Sequence, residues 1–174
     1  MYECTLCSLS TTRKNVVVGR GDPKASVWFI GEAPGEHEDE SGFPFVGAAG
    51  QELNKALEFL GLGQGKYYVT NVVRCRPVEN GRNRAPTDEE KAICGVKLKD
   101  DIARWRPSLL VTLGKHSTMY LLGDIGNMYS NVGKTFSYDG INVFVMLHPA
   151  AILYRAGLRM MWERNLGELK KVIP

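Results

Sequence analysis

Four short apolar runs constrain this chain more than anything else in it. They are VWFI at 27–30, YYVTNVV at 67–73, LLVTL at 109–113 and VFVML at 143–147. Each is strand-length, dense in β-branched or aromatic side chains, and continuous rather than alternating. A strand with one wet face alternates polar and apolar residues, whereas a continuous run fits a strand buried on both faces of a parallel sheet. Helical patterns lie between and after the runs. Over 48–60, Leu53, Ala56, Leu57 and Leu60 share one stripe and Gly61 stops it. Thr87 to Glu90 reads as a capping box behind Pro86, and Cys94, Leu98, Ile102 and Trp105 then recur at helical spacing. A shorter helix is expected over 115–122, ended by Gly123. A last one is expected over 158–172, with Met161, Leu166 and Leu169 apolar. Strands alternating with helices predict an α/β chain whose parallel sheet is covered on both faces. The stretches 76–86 and 123–140 read as connecting loops.

The length of 174 residues suits one domain, 1–174, with enough chain to bury a core. A hydrophobic fraction of 44% and a charged fraction of 24% are those of an ordinary globular protein, which argues against disorder. No segment approaches the roughly 18 apolar residues of a membrane span. The opening MYECTLC has no basic stretch leading into an apolar run, so a cytoplasmic setting is expected. The net charge of +3 permits a polyanionic partner without requiring one. Its local distribution says more, since Arg74, Arg76, Arg82 and Arg84 fall within eleven residues. Cys4 and Cys7, two residues apart, have metal-ligand spacing, and Cys75 and Cys94 make a looser second pair. A reducing compartment disfavours disulfides, and spacing alone leaves zinc, an iron–sulfur cluster or unrelated buried thiols open.

Ligands of such sheets bind beyond the carboxyl ends of the strands. After the first run comes GEAPG at 31–35, with five acids between Glu32 and Glu40, then Phe43, Pro44 and Phe45. Asn71 closes the second run, with RCRP at 74–77 beyond it. Gly114, Lys115 and His116 follow the third run, and HPAA at 148–151 follows the fourth. Polar groups thus collect where the architecture predicts a site.

GEAPGE at 31–36, FPFVG at 43–47, TN at 70–71, CRP at 75–77 and HPAA at 148–151, in this order and spacing, resemble the family 4 uracil-DNA glycosylases of bacteria and archaea. The resemblance covers nearly the whole chain. It implies a three-layer α/β/α sandwich around a four-stranded parallel sheet, hydrolytic removal of uracil from DNA, and a [4Fe–4S] cluster on Cys4, Cys7, Cys75 and Cys94. One departure is the eighteen-residue interval between Cys75 and Cys94, a few residues longer than is usual for the family. The extra residues are expected in 78–84, where a surface loop tolerates them.

A base inside a duplex must be flipped out before its glycosidic bond is reached. The resemblance gives Phe45 the stacking wall of the pocket, with Pro44 restricting the backbone beside it and Phe43 as packing. The Asn71 amide, with one donor and one acceptor, suits uracil O4 and N3–H together. His148 is placed to stabilise the charge that builds on uracil O2 as the bond breaks, an oxyanion contact. Gly31 and Ala33 complete the substrate side. Related glycosylases outside this family carry an Asp at the position of Ala33 and a Tyr at that of Gly35. Glu32 is therefore the candidate to orient water or stabilise a cationic sugar. Glu36 is a second candidate, or a block to the C5-methyl of thymine. Glu38, Asp39 and Glu40 are expected to be solvated loop, and His116 structural. The helix start at Gly47 offers N–H groups to a phosphate. Arg74, Arg76, Arg82, Arg84 and Arg155 are candidate DNA-backbone contacts. Ile152 and Leu153 are candidates for insertion into the duplex.

The expected partner is uracil-containing DNA, single or double stranded, bound by a monomer in a prokaryotic cytoplasm, at the nucleoid and not at a membrane. No lysine is placed for a Schiff base, so a lyase step is not expected. A variant that traps its sugar covalently needs a nucleophilic histidine after the third strand, and residues 117–134 contain none. A metal-containing nucleic-acid binding module is a competing reading, but mere binding needs no set of Phe45, Asn71 and His148. An enzyme for free nucleosides or nucleotides is another, and it leaves the arginine-rich loop and the pair Ile152 and Leu153 without a use.

Overall fold

The computed structural model describes residues 3–174. In chain order it contains β1 (Arg20–Gly21), β2 (Val27–Gly31), α1 (Glu36–Ser41), α2 (Ala48–Phe59), β3 (Tyr67–Asn71), β4 (Val78–Glu79) and β5 (Arg82–Asn83). Then follow α3 (Asp88–Trp105), β6 (Leu109–Leu113), α4 (Lys115–Leu122), α5 (Met128–Asn131), β7 (Thr135–Tyr138), β8 (Ile141–Met146), α6 (Pro149–Tyr154) and α7 (Arg159–Val172). The four continuous apolar runs are the four parallel strands, in spatial order β3-β2-β6-β8. Two short antiparallel strands extend this sheet to six, β1 beside β3 and β7 beside β8. These edge strands are too short and too polar to show as apolar runs.

Alternation along the buried strands sorts the core into two layers. Val27, Phe29, Val69, Val111 and Phe144 face one way and pack with Leu53 and Leu57 of α2 and Trp162, Leu166 and Leu169 of α7. Trp28, Ile30, Tyr68, Leu110 and Val143 face the other way and meet Leu98 and Ile102 of α3 and Leu121 of α4. A three-layer α/β/α sandwich results, because each sheet face is apolar and needs a helical cover. Among the described residues, no helix is long and apolar enough to cross a membrane.

Three stretches differ from the sequence expectation. The 123–140 stretch contains α5 and β7, and 76–86 contains the β4–β5 hairpin. The acidic stretch folds as α1 rather than as solvated loop. Glu38 accepts from the N–H groups of Gly35, Val46 and Gly47 at 3.1, 2.9 and 2.9 Å. Asp39 is buried and accepts from the N–H groups of Lys14 and Asn15. Of Glu38, Asp39 and Glu40, only Glu40 behaves as surface, in an exposed ion pair with Lys14.

The capping box of α3 forms as expected: Thr87 Oγ1 accepts from Glu90 N–H, and Glu90 accepts from Thr87 N–H. Replacing Thr87 by Ala removes that cap and costs about 1 kcal/mol. In thermal melts the Thr87→Ala variant is expected to lose roughly 2–4 °C in Tm.

Candidate active site

The sheet order reverses between β2 and β6, since the chain runs from β2 outward to β3 and later returns to β6 on the other side. A cleft of about 590 Å³ opens there, at the carboxyl ends of the strands. Its lining includes Glu32, Ala33, Glu36, Phe45, Gly47, Asn71, Arg84, His116, His148 and Leu153.

Parallel pairing of β2 with β3 sets Gly31 directly beside Asn71. A Cβ on Gly31 would lie 2.3 Å from Asn71 Oδ1 and 2.6 Å from the Phe45 ring. The missing side chain is therefore what lets an amide and an aromatic ring converge over one strand end. Asn71 is 2% exposed, and its Oδ1 is buried without a hydrogen-bond partner among the described residues. A buried acceptor left unpaired costs roughly 1–3 kcal/mol, so it marks a place built to receive a donor.

Phe45 is buried and adopts φ 55°, a left-handed conformation that a bulky residue rarely takes. Two contacts hold it there. Glu38 ties down the two N–H groups that follow it, and α2 packs against its backbone so closely that a Cβ on Gly50 would overlap the Phe45 carbonyl. The Phe45 ring faces His148 with centroids 5.7 Å apart. Phe43, expected as packing, is instead exposed.

His148 caps α6, and its Nδ1 accepts from Ala150 N–H at 3.2 Å. In the neutral ring that bond leaves the proton on Nε2, available as a donor. Burial holds the His148 pKa down to about 4, the nearby Glu38 charge raising it and His116 lowering it further. Burial pushes the Glu32 carboxyl above the usual carboxylate range, opposed by the charges of His116 and Lys91. His116 Nε2 lies 3.8 Å from Glu32 Oε1, so the histidine read as structural is a wall of the cleft. Its signal in the sequence was its place just beyond the third apolar run.

The expected DNA contacts divide. Arg74 is buried and bonded to Asp101, so it braces the fold and is not free for a phosphate. Arg76 is buried too, donating to Asn83 and Glu36, and this links α1 to the hairpin. Arg84 makes a two-pronged pair with Glu90 at the rim. Arg82 and Arg155 are exposed. The Gly47 N–H is taken by Glu38, but α2 has no side-chain cap and Ala48 and Ala49 line the cleft. Ile152 is 3% exposed and cannot enter a duplex, because it is packed in the core, on the side where α6 meets α2. Leu153 and Tyr154, exposed and on the cleft wall, occupy that position instead.

Arg13 Nη1 approaches Cys75 Sγ at 3.8 Å, and Arg74 N–H points at Cys94 Sγ at 3.3 Å. Burial pushes the Cys75 thiol up to about 11, with Cys94 and Cys7 adding to the rise. Burial likewise raises Cys94, with Cys7 and Cys4 adding. All four sulfurs thus lie within electrostatic reach at one patch. Among the described residues no group of three or more His, Cys, Asp or Glu is drawn together as for one ion. Cysteine sulfurs are a donor set that either a zinc ion or an iron–sulfur cluster takes.

The depressed His148 pKa predicts a pH dependence of stability. Below pH ~6.5 the unfolded ring binds a proton that the folded ring refuses. Stability should therefore fall with pH between about 6.5 and 4, with a slope approaching 1.4 kcal/mol per unit from this group. Urea unfolding across that range, comparing the parent with His148→Asn, isolates the contribution, because the variant loses that part of the slope.

A family model described as the uracil DNA glycosylase superfamily matches residues 18–167. A type-4 uracil-DNA glycosylase of Sulfurisphaera tokodaii is 40% identical over 181 aligned residues, 99% of this chain and 81% of the relative. One from Thermotoga maritima is 46% identical, over 87% of this chain and 78% of the relative. One from Archaeoglobus fulgidus is 38% identical, over 97% and 89%. This chain belongs to the uracil-DNA glycosylase superfamily, in its type-4 branch.

Proposed function

We propose that the chain, acting as one unit over 1–174, excises uracil from DNA by hydrolysis and leaves an abasic site, with no strand-cleaving step. The observation that carries this reading is the buried, unpartnered Oδ1 of Asn71 beside the Phe45 ring. Uracil N3–H supplies the missing donor, and the amide N–H₂ meets O4. Cytosine would set its bare N3 against the same oxygen and its amino donor against the amide donors. A good bidentate contact of this kind discriminates by roughly 1–3 kcal/mol.

Phe45 stacks on the flipped base. As the C1′–N1 bond breaks, its electron pair leaves with uracil, and charge collects on O2. The neutral His148 donates from Nε2 to that oxygen, and a ring with so low a pKa keeps this form throughout the neutral range. The sugar becomes cationic, and Glu32 supplies the facing negative charge. Water adds at C1′ and loses its proton to solvent or to this carboxylate. The exposed Arg82 and Arg155, with the Ala48 and Ala49 N–H groups, hold the DNA backbone, and Leu153 fills the space the base has left. The substrate is uracil-containing DNA, single or double stranded, and the setting is a prokaryotic cytoplasm.

Cys4, Cys7, Cys75 and Cys94 would hold a [4Fe–4S] cluster whose part is structural. It would clamp the N-terminal segment to the 75–94 region beside the cleft. Iron and acid-labile sulfide analysis of anaerobically purified protein should return four of each per chain. Cys94→Ala should lose the cluster and lower the melting temperature by several degrees.

Uracil release from a labelled U·G oligonucleotide tests the site. His148→Ala should lower the single-turnover rate by about 10²–10³-fold. Asn71→Ala should lower it strongly while duplex binding persists. Gly31→Ala should act like Asn71→Ala, since its methyl group fills the slot. A folded, cluster-replete, DNA-binding parent that releases no uracil would sink the reading.

A further inference from the structure

The mouth of the cleft carries an aromatic ring that the reaction as derived leaves without a part. Tyr154 closes α6 and lines the cleft, yet it is 86% exposed. Leu153 beside it lines the same wall and is 40% exposed. The helix that presents them is anchored: Pro149 and Ile152 are buried, and His148 caps its first turn. His148 and the Tyr154 ring therefore stand at opposite ends of one short helix, which fixes one relative to the other. The next residue, Arg155, is exposed as well. Its Nη1 donates to the Tyr129 hydroxyl at 3.0 Å, which braces the guanidinium without neutralising it. Among the described residues no carboxylate forms an ion pair with Arg155. Tyr129, 47% exposed, brings a second ring to this edge. Exposed rings beside an unneutralised cation are the makings of a surface that follows one nucleic-acid strand, the rings taking bases and the cation a phosphate.

We infer that Tyr154 is a substrate-binding residue that stacks on the nucleobase next to the uracil in a single strand, with Arg155 on the adjoining phosphate. The inference rests on the glycosylase reading above and adds a strand preference to it. A uracil that reaches Phe45 and Asn71 is joined to its neighbours through one phosphate on each side, so a neighbour lies at the mouth where Tyr154 stands. Stacking needs a free base face. In a duplex the neighbour stays paired and stacked on its far side, and Leu153 fills the gap that the uracil leaves. In a single strand the neighbour is free to turn onto Tyr154. Every base has such a face, so the contact carries no sequence preference. A protein partner would leave the unneutralised Arg155, and the continuity of the ring with the base pocket, without a use.

Single-turnover uracil release, measured against enzyme concentration on single-stranded and U·G duplex oligonucleotides, tests this. Tyr154→Ala should raise the half-saturating concentration about tenfold on the single strand and less than about threefold on the duplex. The loss should fall on that concentration and not on the saturated rate, since the ring touches no reacting atom. Tyr154→Phe should restore the parental value, because the ring face and not the hydroxyl makes the contact. Arg155→Gln should flatten the salt dependence of single-strand binding by about 0.7 in log Kd per log salt, the share of one phosphate, whereas Tyr154→Ala should leave that slope unchanged. A single strand with 2′-fluorinated deoxyuridine, whose glycosidic bond resists cleavage, reads the stack directly when 2-aminopurine is placed on its 5′ or 3′ side. The fluorescence should fall on binding in at least one of the two positions, and Tyr154→Ala should lose that quench. Thermal melts of the variants should match the parent, because the ring is exposed. A parent that releases no uracil overturns the glycosylase reading. This inference alone is overturned if the parent releases uracil while Tyr154→Ala keeps the parental quench, keeps the parental single-strand value or weakens both substrates equally. Failure of Tyr154→Phe to restore binding overturns it too.

Discussion

The carboxyl end of β2 is the constraint on which the site depends. β2 is flanked on both sides by parallel partners, so its register with β3 and β6 is fixed along its whole length. That register puts Gly31 against Asn71 and brings the residues after β2 and β6 to face each other. The carboxylate of Glu38 then does the second half of the work. By accepting three backbone N–H groups it folds the segment after β2 back over the strand end and holds Phe45 in its left-handed conformation. Two unfavourable local states, an unpartnered amide oxygen and a bulky residue at positive φ, persist because this frame over-determines them. Such places are where a fold gives up stability for a site.

Charge in this protein is mostly spent internally. Of the five acids between Glu32 and Glu40, Glu38 and Asp39 tie backbone, Glu36 meets Arg76, Glu40 meets Lys14, and Glu32 lines the cleft with His116 at 3.8 Å. The arginine-rich stretch behaves alike, with Arg74, Arg76 and Arg84 each paired to a carboxylate. A count of charges along the chain overstates how many groups remain for a polyanion. What remains is local: exposed arginines, a helix start without a side-chain cap, and apolar side chains on the cleft wall.

The two histidines of the cleft are set apart by their surroundings. His148 is walled in by Phe45 and held by Ala150 N–H, which fixes one neutral tautomer. His116 stands half in water beside a carboxylate. One ring is thus built to keep a single proton arrangement through the neutral range, and the other forms part of the open cleft wall.

The sequence by itself determined the strand and helix order, because continuous apolar runs and helical stripes report burial directly. It determined the cap at Thr87, since a capping box is a local contact. It also placed Gly31, Asn71 and His148 at strand ends and Phe45 in the segment beyond the first; Phe45, Asn71 and His148 line the cleft, and Gly31 lies beside Asn71. Tertiary structure alone decided the rest. The edge strands β1 and β7 exist only because the core strands offer them a ladder. Whether Ile152 or Leu153 faces outward depends on how α6 is rotated against the sheet. Whether Arg74 meets water or Asp101, and whether His116 is packing or a partner of Glu32, depends on residues 27 and 84 positions away in the chain. Local sequence carries the period of burial, but which polar group faces which is a property of contacts between distant segments.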